Sequence, residues 1–202
     1  MLVSSVVESL TLSRTIATPV IYYYCDYAER ISLQPAIILG TLIGSLLSGH
    51  GKIPEEIADL VQKFYQDGER TPDTHEVLSI LLGLVELSKK VTLVLDGIDE
   101  VNEKNFHILL SSLRTLLFHP GVAVKIFLTS REYKDIFSIL SPMSEMWFQI
   151  HLDQLATSHD IESYIRYSVD ELMVSKRSII NSSHIEIKDE IIQRLIEGAN
   201  GM

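Results

Sequence analysis

The feature that most constrains this chain is the run Val91-Thr92-Leu93-Val94-Leu95, which is apolar at nearly every position and ends abruptly in Asp96-Gly97-Ile98-Asp99-Glu100. A strand open to water on one side alternates apolar and polar residues. A run without that alternation is covered on both faces, as the inner strands of parallel sheets are. The run therefore predicts a central strand with helices on either side. Three further runs rich in β-branched or aromatic residues read as strands: Val20 to Cys25, Val122 to Leu128 and Trp147 to Leu152.

Longer segments with helical spacing separate them. They are Leu2 to Leu12, Pro35 to Leu47, Pro54 to Tyr65, Asp73 to Leu87, Glu103 to Phe118, Ser158 to Met173 and Lys188 to Glu197. Pro35 suits a first helical turn, where its missing N–H costs nothing. Strands alternating with helices predict an α/β fold with a parallel sheet. The polar stretch from Asp67 to Thr74 reads as an exposed loop, and no internal repeat or low-complexity segment is present.

Composition narrows the function classes. With 202 residues, 46% of them hydrophobic, the chain can bury a sizeable core and is not intrinsically disordered. Its formal charge of -10 and the lack of a Lys/Arg cluster argue against a nucleic-acid binder. The single cysteine, Cys25, excludes an internal disulfide framework and points to a reducing, cytoplasmic setting. No apolar stretch approaches the roughly 20 residues of a membrane span. The seven histidines have no metal-binding spacing and read as surface or capping residues. Cys25 and the aromatics Tyr22, Tyr23 and Tyr24 read as packing residues, the tyrosines under helices on both faces.

The acidic tip carries the chemistry. Ligands in open parallel sheets bind beyond the carboxyl ends of the strands, which is where Asp96 falls. A carboxylate there is suited to Mg²⁺, and Asp99 or Glu100 to polarising a water against a γ-phosphate. An Asp-Gly turn with acids at the next helix N-terminus gives a similar string, but no alternating strand follows to make a hairpin. The run Val124-Lys125-Ile126-Phe127-Leu128 then ends in Thr129, Ser130 and Arg131. If parallel to the first, it delivers Arg131 to the same edge, where an arginine senses phosphate; a surface arginine paired with the nearby acids is the alternative.

LVLDGIDE followed by KIFLTSRE resembles the Walker B and sensor strands of NACHT-type signal-transducing NTPases, members of the STAND class of P-loop proteins. The aromatic strand at Val20, with Pro35-Ala36-Ile37-Ile38-Leu39 after it, is similar to the fungal version, the nephrocystin-like N-terminal domain. The tail, from His151-Leu152 through Asp160-Ile161 and Tyr164-Ile165 to Gly198-Ala199-Asn200-Gly201-Met202, fits as well.

The resemblance implies a P-loop NTPase-like α/β core over residues 1–155 and the start of a helical lid region over 156–202. It implies ATP or GTP with Mg²⁺ at Asp96, catalytic roles for Asp99 and Glu100, and nucleotide contacts from Thr129, Ser130 and Arg131. Implied partners are effector and repeat domains of a longer chain and further copies of the same module. The phosphate-wrapping motif G-x-x-x-x-G-K-[ST] is not found within the 202 residues. Gly51-Lys52 lacks both the earlier glycine, where Leu46 stands, and the hydroxyl, where Ile53 stands. The resemblance places Met1 at about the hydroxyl position of that loop. The expectation is therefore a fragment of a nucleotide switch that begins just after its phosphate cradle and binds nucleotide poorly alone. The alternative is a non-catalytic interaction module that has lost nucleotide binding.

Overall fold

A computed structural model describes residues 2–12, 18–49, 52–64, 71–131, 148–151, 154–174 and 185–199. The chain divides into two compact units, residues 1–142 and 143–202.

The first unit is an α/β layer. Its elements are α1 (Leu2–Leu12), β1 (Val20–Tyr24), α2 (Pro35–Leu47), α3 (Glu55–Phe64), α4 (Thr74–Ser88), β2 (Lys90–Asp96), a single 3₁₀ turn (Ile98–Glu100), α5 (Glu103–Leu117) and β3 (Ala123–Leu128). The three strands form one parallel sheet in the order β1-β2-β3. Tyr24 lies in register with Asp96, and Leu95 with Leu128, so all three strands run out at one edge.

The pleat of β2 explains the unbroken apolar run. Val91, Leu93 and Leu95 point into the main core, built with Ile38, Leu39, Leu42, Leu81 and Leu84 of α2 and α4 and with Phe106 and Leu109 of α5. Val94 points the other way, into a smaller cluster with Val3, Val7 and Val20 under α1. All of these β2 side chains are fully buried except Thr92, which is half-buried. Each buried Leu or Val stabilises the fold by about 1.5–3 kcal/mol relative to exposure, and β2 holds the densest set.

Local signals set the helix boundaries. Asp73 caps α4: its side chain accepts from the Glu76 N–H at 2.9 Å while Glu76 accepts from the Asp73 N–H at 3.1 Å, a reciprocal capping box. Asn102 caps α5 by accepting from the Asn105 N–H at 3.0 Å. In α4, Gly83 lets α3 approach closely, since a Cβ there would stand 2.9 Å from Cδ1 of Ile57.

The second unit contains α6 (Gln154–Val174) and α7 (Ile185–Ala199), which pair with Val169 and Ile192 buried and an ion pair between Lys188 and Asp170. The strand expected over Trp147 to Leu152 is not formed in its described part. Phe148 to His151 are irregular, and Phe148 is 99% exposed. Trp147 and Leu152 lie outside the described residues, as do Asp67 to Arg70 of the expected loop. Among the described residues no helix is long and apolar enough to cross a membrane.

The tyrosines also depart from expectation. Tyr23 faces the core and donates its hydroxyl to the Ser32 carbonyl at 2.8 Å. Tyr22 and Tyr24 point to the α1 side, but α1 covers only part of that face, and they remain 44% and 41% exposed. They pack edge to face against each other with ring centroids 5.6 Å apart.

Candidate functional site

The exits of the three strands meet at the turn after β2. Gly97 takes the left-handed conformation, φ +67°, which reverses the chain directly after Asp96. A Cβ there would meet the Cys25 carbonyl oxygen at an ordinary contact distance of 3.5 Å, so the backbone conformation and not space calls for glycine. The 3₁₀ turn follows, with Ile98 buried as its anchor and Asp99 and Glu100 at its rim. Because α5 starts at Glu103 with its own cap at Asn102, Asp99 and Glu100 do not belong to the first turn of that helix. Acids placed for the α5 dipole do not account for them.

Thr129, the first residue after β3, holds this turn. Its N–H donates to the Leu95 carbonyl at 3.0 Å and its carbonyl accepts from the Ile98 N–H at 3.1 Å. Its hydroxyl accepts from the Gly97 N–H at 3.0 Å and donates to Oδ1 of Asp96. From the other side, the Cys25 N–H donates to the Asp96 carbonyl at 2.9 Å.

Arg131 holds the two outer acids. Its backbone N–H donates to Oδ1 of Asp99 at 3.2 Å, its Nε to Oδ2 of Asp99 at 2.7 Å, and its Nη2 to Oε1 of Glu100 at 2.5 Å. The Asp99 side chain is only 9% exposed, whereas that of Arg131 is 78% exposed. The hydrogen bond and charge of Asp99, then the charge of Glu100, raise the Arg131 pKa above its ordinary value. Ser130 stands apart: its exposed hydroxyl donates to the Arg131 carbonyl at 2.6 Å.

Cys25 lies beside the acids. Burial first, and then the charges of Asp96, Asp99 and Glu100, push its thiol up to about 12. It therefore stays protonated at neutral pH and is no nucleophile. Among the described residues no three His, Cys, Asp or Glu side chains are grouped to hold a metal ion. Mg²⁺, however, commonly takes one or two carboxylates and completes its shell with water and phosphate oxygens. The hard oxygens of Asp96 and its neighbours fit that chemistry.

The structure thus brings Asp96, Asp99, Glu100, Thr129 and Arg131 together at the carboxyl edge of two adjacent parallel strands, and leaves Ser130 outside. Sequence reasoning assigned the Thr129 hydroxyl to a ligand and missed its grip on the β2 turn. That grip depends on the register of β2 against β3, which a string of residues does not display.

A three-stranded parallel sheet flanked by helices, with carboxylates and an arginine converging at its strand exits, defines an α/β protein with a charged edge. The chain belongs to the nephrocystin 3, N-terminal family, whose model matches residues 1–131. Among curated proteins and solved structures nothing matches the chain.

Proposed function

We propose that residues 1–131 carry the metal-side and phosphate-sensing edge of a NACHT-type nucleotide switch of the STAND class, related to P-loop NTPases. In this reading Asp96 holds Mg²⁺ against the phosphates of ATP or GTP, Arg131 reads the terminal phosphate, and Glu100 or Asp99 orients the attacking water. Thr129 supports Asp96 rather than touching nucleotide. Effector and repeat domains, and further cytoplasmic copies of the module, are the proposed partners.

The observation that supports it is the convergence of Asp96, Asp99, Glu100 and Arg131 at one sheet edge. Residues from two separate strands are aligned there by register, as phosphoryl-transfer sites require.

A second reading, a binding module without catalysis, is favoured by a different observation. Asp99 and Glu100 are already satisfied by Arg131, and Asp96 by Thr129.

Equilibrium binding of a fluorescent ATP or GTP analogue, with and without Mg²⁺, separates the two. The switch reading expects weak, Mg²⁺-dependent binding by this chain. It expects tight binding when a segment containing G-x-x-x-x-G-K-[ST] is joined ahead of residue 1, and loss of at least tenfold on Asp96→Ala in that extended protein. Mg²⁺-independent binding, or an Asp96→Ala variant with unchanged affinity, would leave only the second reading.

A further inference from the structure

The segment between β1 and α2 holds apolar side chains out to water on a fixed backbone. Tyr27 is 72% exposed and Ile31 71%, and Ile37 in the first turn of α2 is exposed as well. The backbone beneath them is tied at short intervals. The Ala28 N–H donates to Oδ1 of Asp26 at 2.9 Å and the Glu29 N–H to the Asp26 carbonyl at 3.1 Å. The Ser32 N–H and hydroxyl both donate to the Glu29 carbonyl, at 2.8 and 2.6 Å. Buried Leu33, and the Tyr23 hydroxyl on the Ser32 carbonyl, anchor the segment to the core. Ile31 and Ile37 line an open groove of about 580 Å³ together with Ala28, Glu29, Arg30 and Ser32. Large apolar side chains on an ordered backbone lose little freedom when they dock, and Tyr and Arg are the residues that most often anchor interfaces.

Charge says what docks there. Arg30 is exposed and makes no ion pair among the described residues, although Glu29 precedes it and Asp26 lies in the same segment. The patch therefore has an apolar centre with both signs of charge at its rim. Such a surface complements itself in a two-fold contact, where each residue meets the same counterpart on the other copy. Tyr27 and Ile31 of one copy then fill the groove of the other, and each Arg30 stands opposite the other copy's Glu29. The neighbouring helix does not oppose this approach: α2, from Pro35 to Leu47, carries no charged residue, and interface centres are depleted of charge. A formal charge of -10 disfavours nucleic acid or an anionic lipid surface as the occupant.

We propose that the segment from Asp26 to Ile31, with Ile37 beside it, is the surface through which two copies of this chain pair about a two-fold axis. The inference rests on the reading above only for the existence of further copies of the module; nucleotide takes no part in the contact.

Sedimentation velocity without nucleotide, at rising protein concentration, tests it on the unmodified chain, on Arg30→Glu, whose rim is wholly acidic, and on Glu29→Arg, whose rim is mostly basic. Both side chains are exposed and the segment's hydrogen bonds do not use them, so the fold is retained, which far-UV circular dichroism checks. The unmodified chain is expected to pass from monomer to dimer. Each variant alone is expected to need at least tenfold higher concentration to pair, because like rims repel. An equimolar mixture of the two is expected to pair as readily as the unmodified chain, because opposite rims then meet. Ile31→Asp should remove the dimer. An unmodified chain that stays monomeric throughout would overturn the proposal. A dimer that Arg30→Glu leaves unchanged would overturn it too, and would assign the association to another surface such as the β3 edge. Variants that pair no better together than apart would also overturn it, leaving the patch to a different protein. Each of these outcomes leaves nucleotide binding at the sheet edge to be decided by its own measurement.

Discussion

Cys25 shows how position alone changes the chemistry of a side chain. At the end of β1 it is partly buried and faces three carboxylates, so its thiol holds its proton far above the ordinary value of 9.0. A raised pKa means that the folded chain binds this proton more tightly than the unfolded chain does. The associated stability is fully present below pH 9 and is lost as pH climbs toward 12. Iodoacetamide is therefore expected to alkylate the native thiol at pH 8.5 at least tenfold more slowly than the thiol in urea, because the thiolate is the nucleophile. The unfolding midpoint of the unmodified chain should also fall more steeply between pH 9 and 11 than that of Cys25→Ala. Equal alkylation rates in the two states would show that Cys25 is neither covered nor close to the acids.

At the scale of elements, the junction between α4 and β2 carries a local conflict. Lys89 ends α4 in the left-handed conformation, φ 59°, the lone non-glycine residue with positive φ among those described. Its N–H still donates to the Val85 carbonyl at 3.0 Å, and its carbonyl accepts from the Ala123 N–H at 2.9 Å, so the strained residue also opens the β2–β3 ladder. A side chain in this conformation costs about 1–2 kcal/mol, and glycine is the residue helices prefer at this position. Part of the gain from glycine is offset by its freedom in the unfolded chain. Lys89→Gly should therefore raise stability by about 1 kcal/mol in urea denaturation, with an unchanged slope. A loss of stability would mean that the lysine side chain makes contacts that outweigh the strain.

For the first unit as a whole, the contrast between the centre of the sheet and its outer strands is the governing fact. β2 is paired on both sides and buried on both faces, whereas β1 and β3 are each paired only with β2 among the described residues. Val124, Ile126, Phe127 and Leu128 are only half-buried, and Lys125 is the one charged side chain along the strand. An open edge with apolar side chains is a template for pairing with another chain, and a lysine on it is a standard defence. The protein is expected to self-associate with rising concentration in sedimentation velocity runs, and Lys125→Val should shift that association to lower concentration. A monomer at every concentration for both proteins would show that the β3 edge is covered.

Much of this architecture was legible in the chain itself. The lack of alternation in Val91 to Leu95 determined a doubly covered strand, because only helices on both faces can hide such a run from water. Helical spacing located α1 at Leu2–Leu12 and, with Pro35 in its first turn, α2 at Pro35–Leu47, since periodicity and the fixed φ of proline act within a few residues. Asp96, Asp99, Glu100 and Arg131 were visible as candidates for the same reason: they end apolar runs. What only the tertiary structure decided is how those ends meet. The β2–β3 register set Thr129 on the Gly97 turn and Arg131 on two carboxylates some thirty residues away in sequence. The short reach of α1 left Tyr22 and Tyr24 open to water, although an aromatic triplet reads as core. Coverage and register are properties of neighbouring elements, settled by which surfaces pack together, and no residue carries them alone.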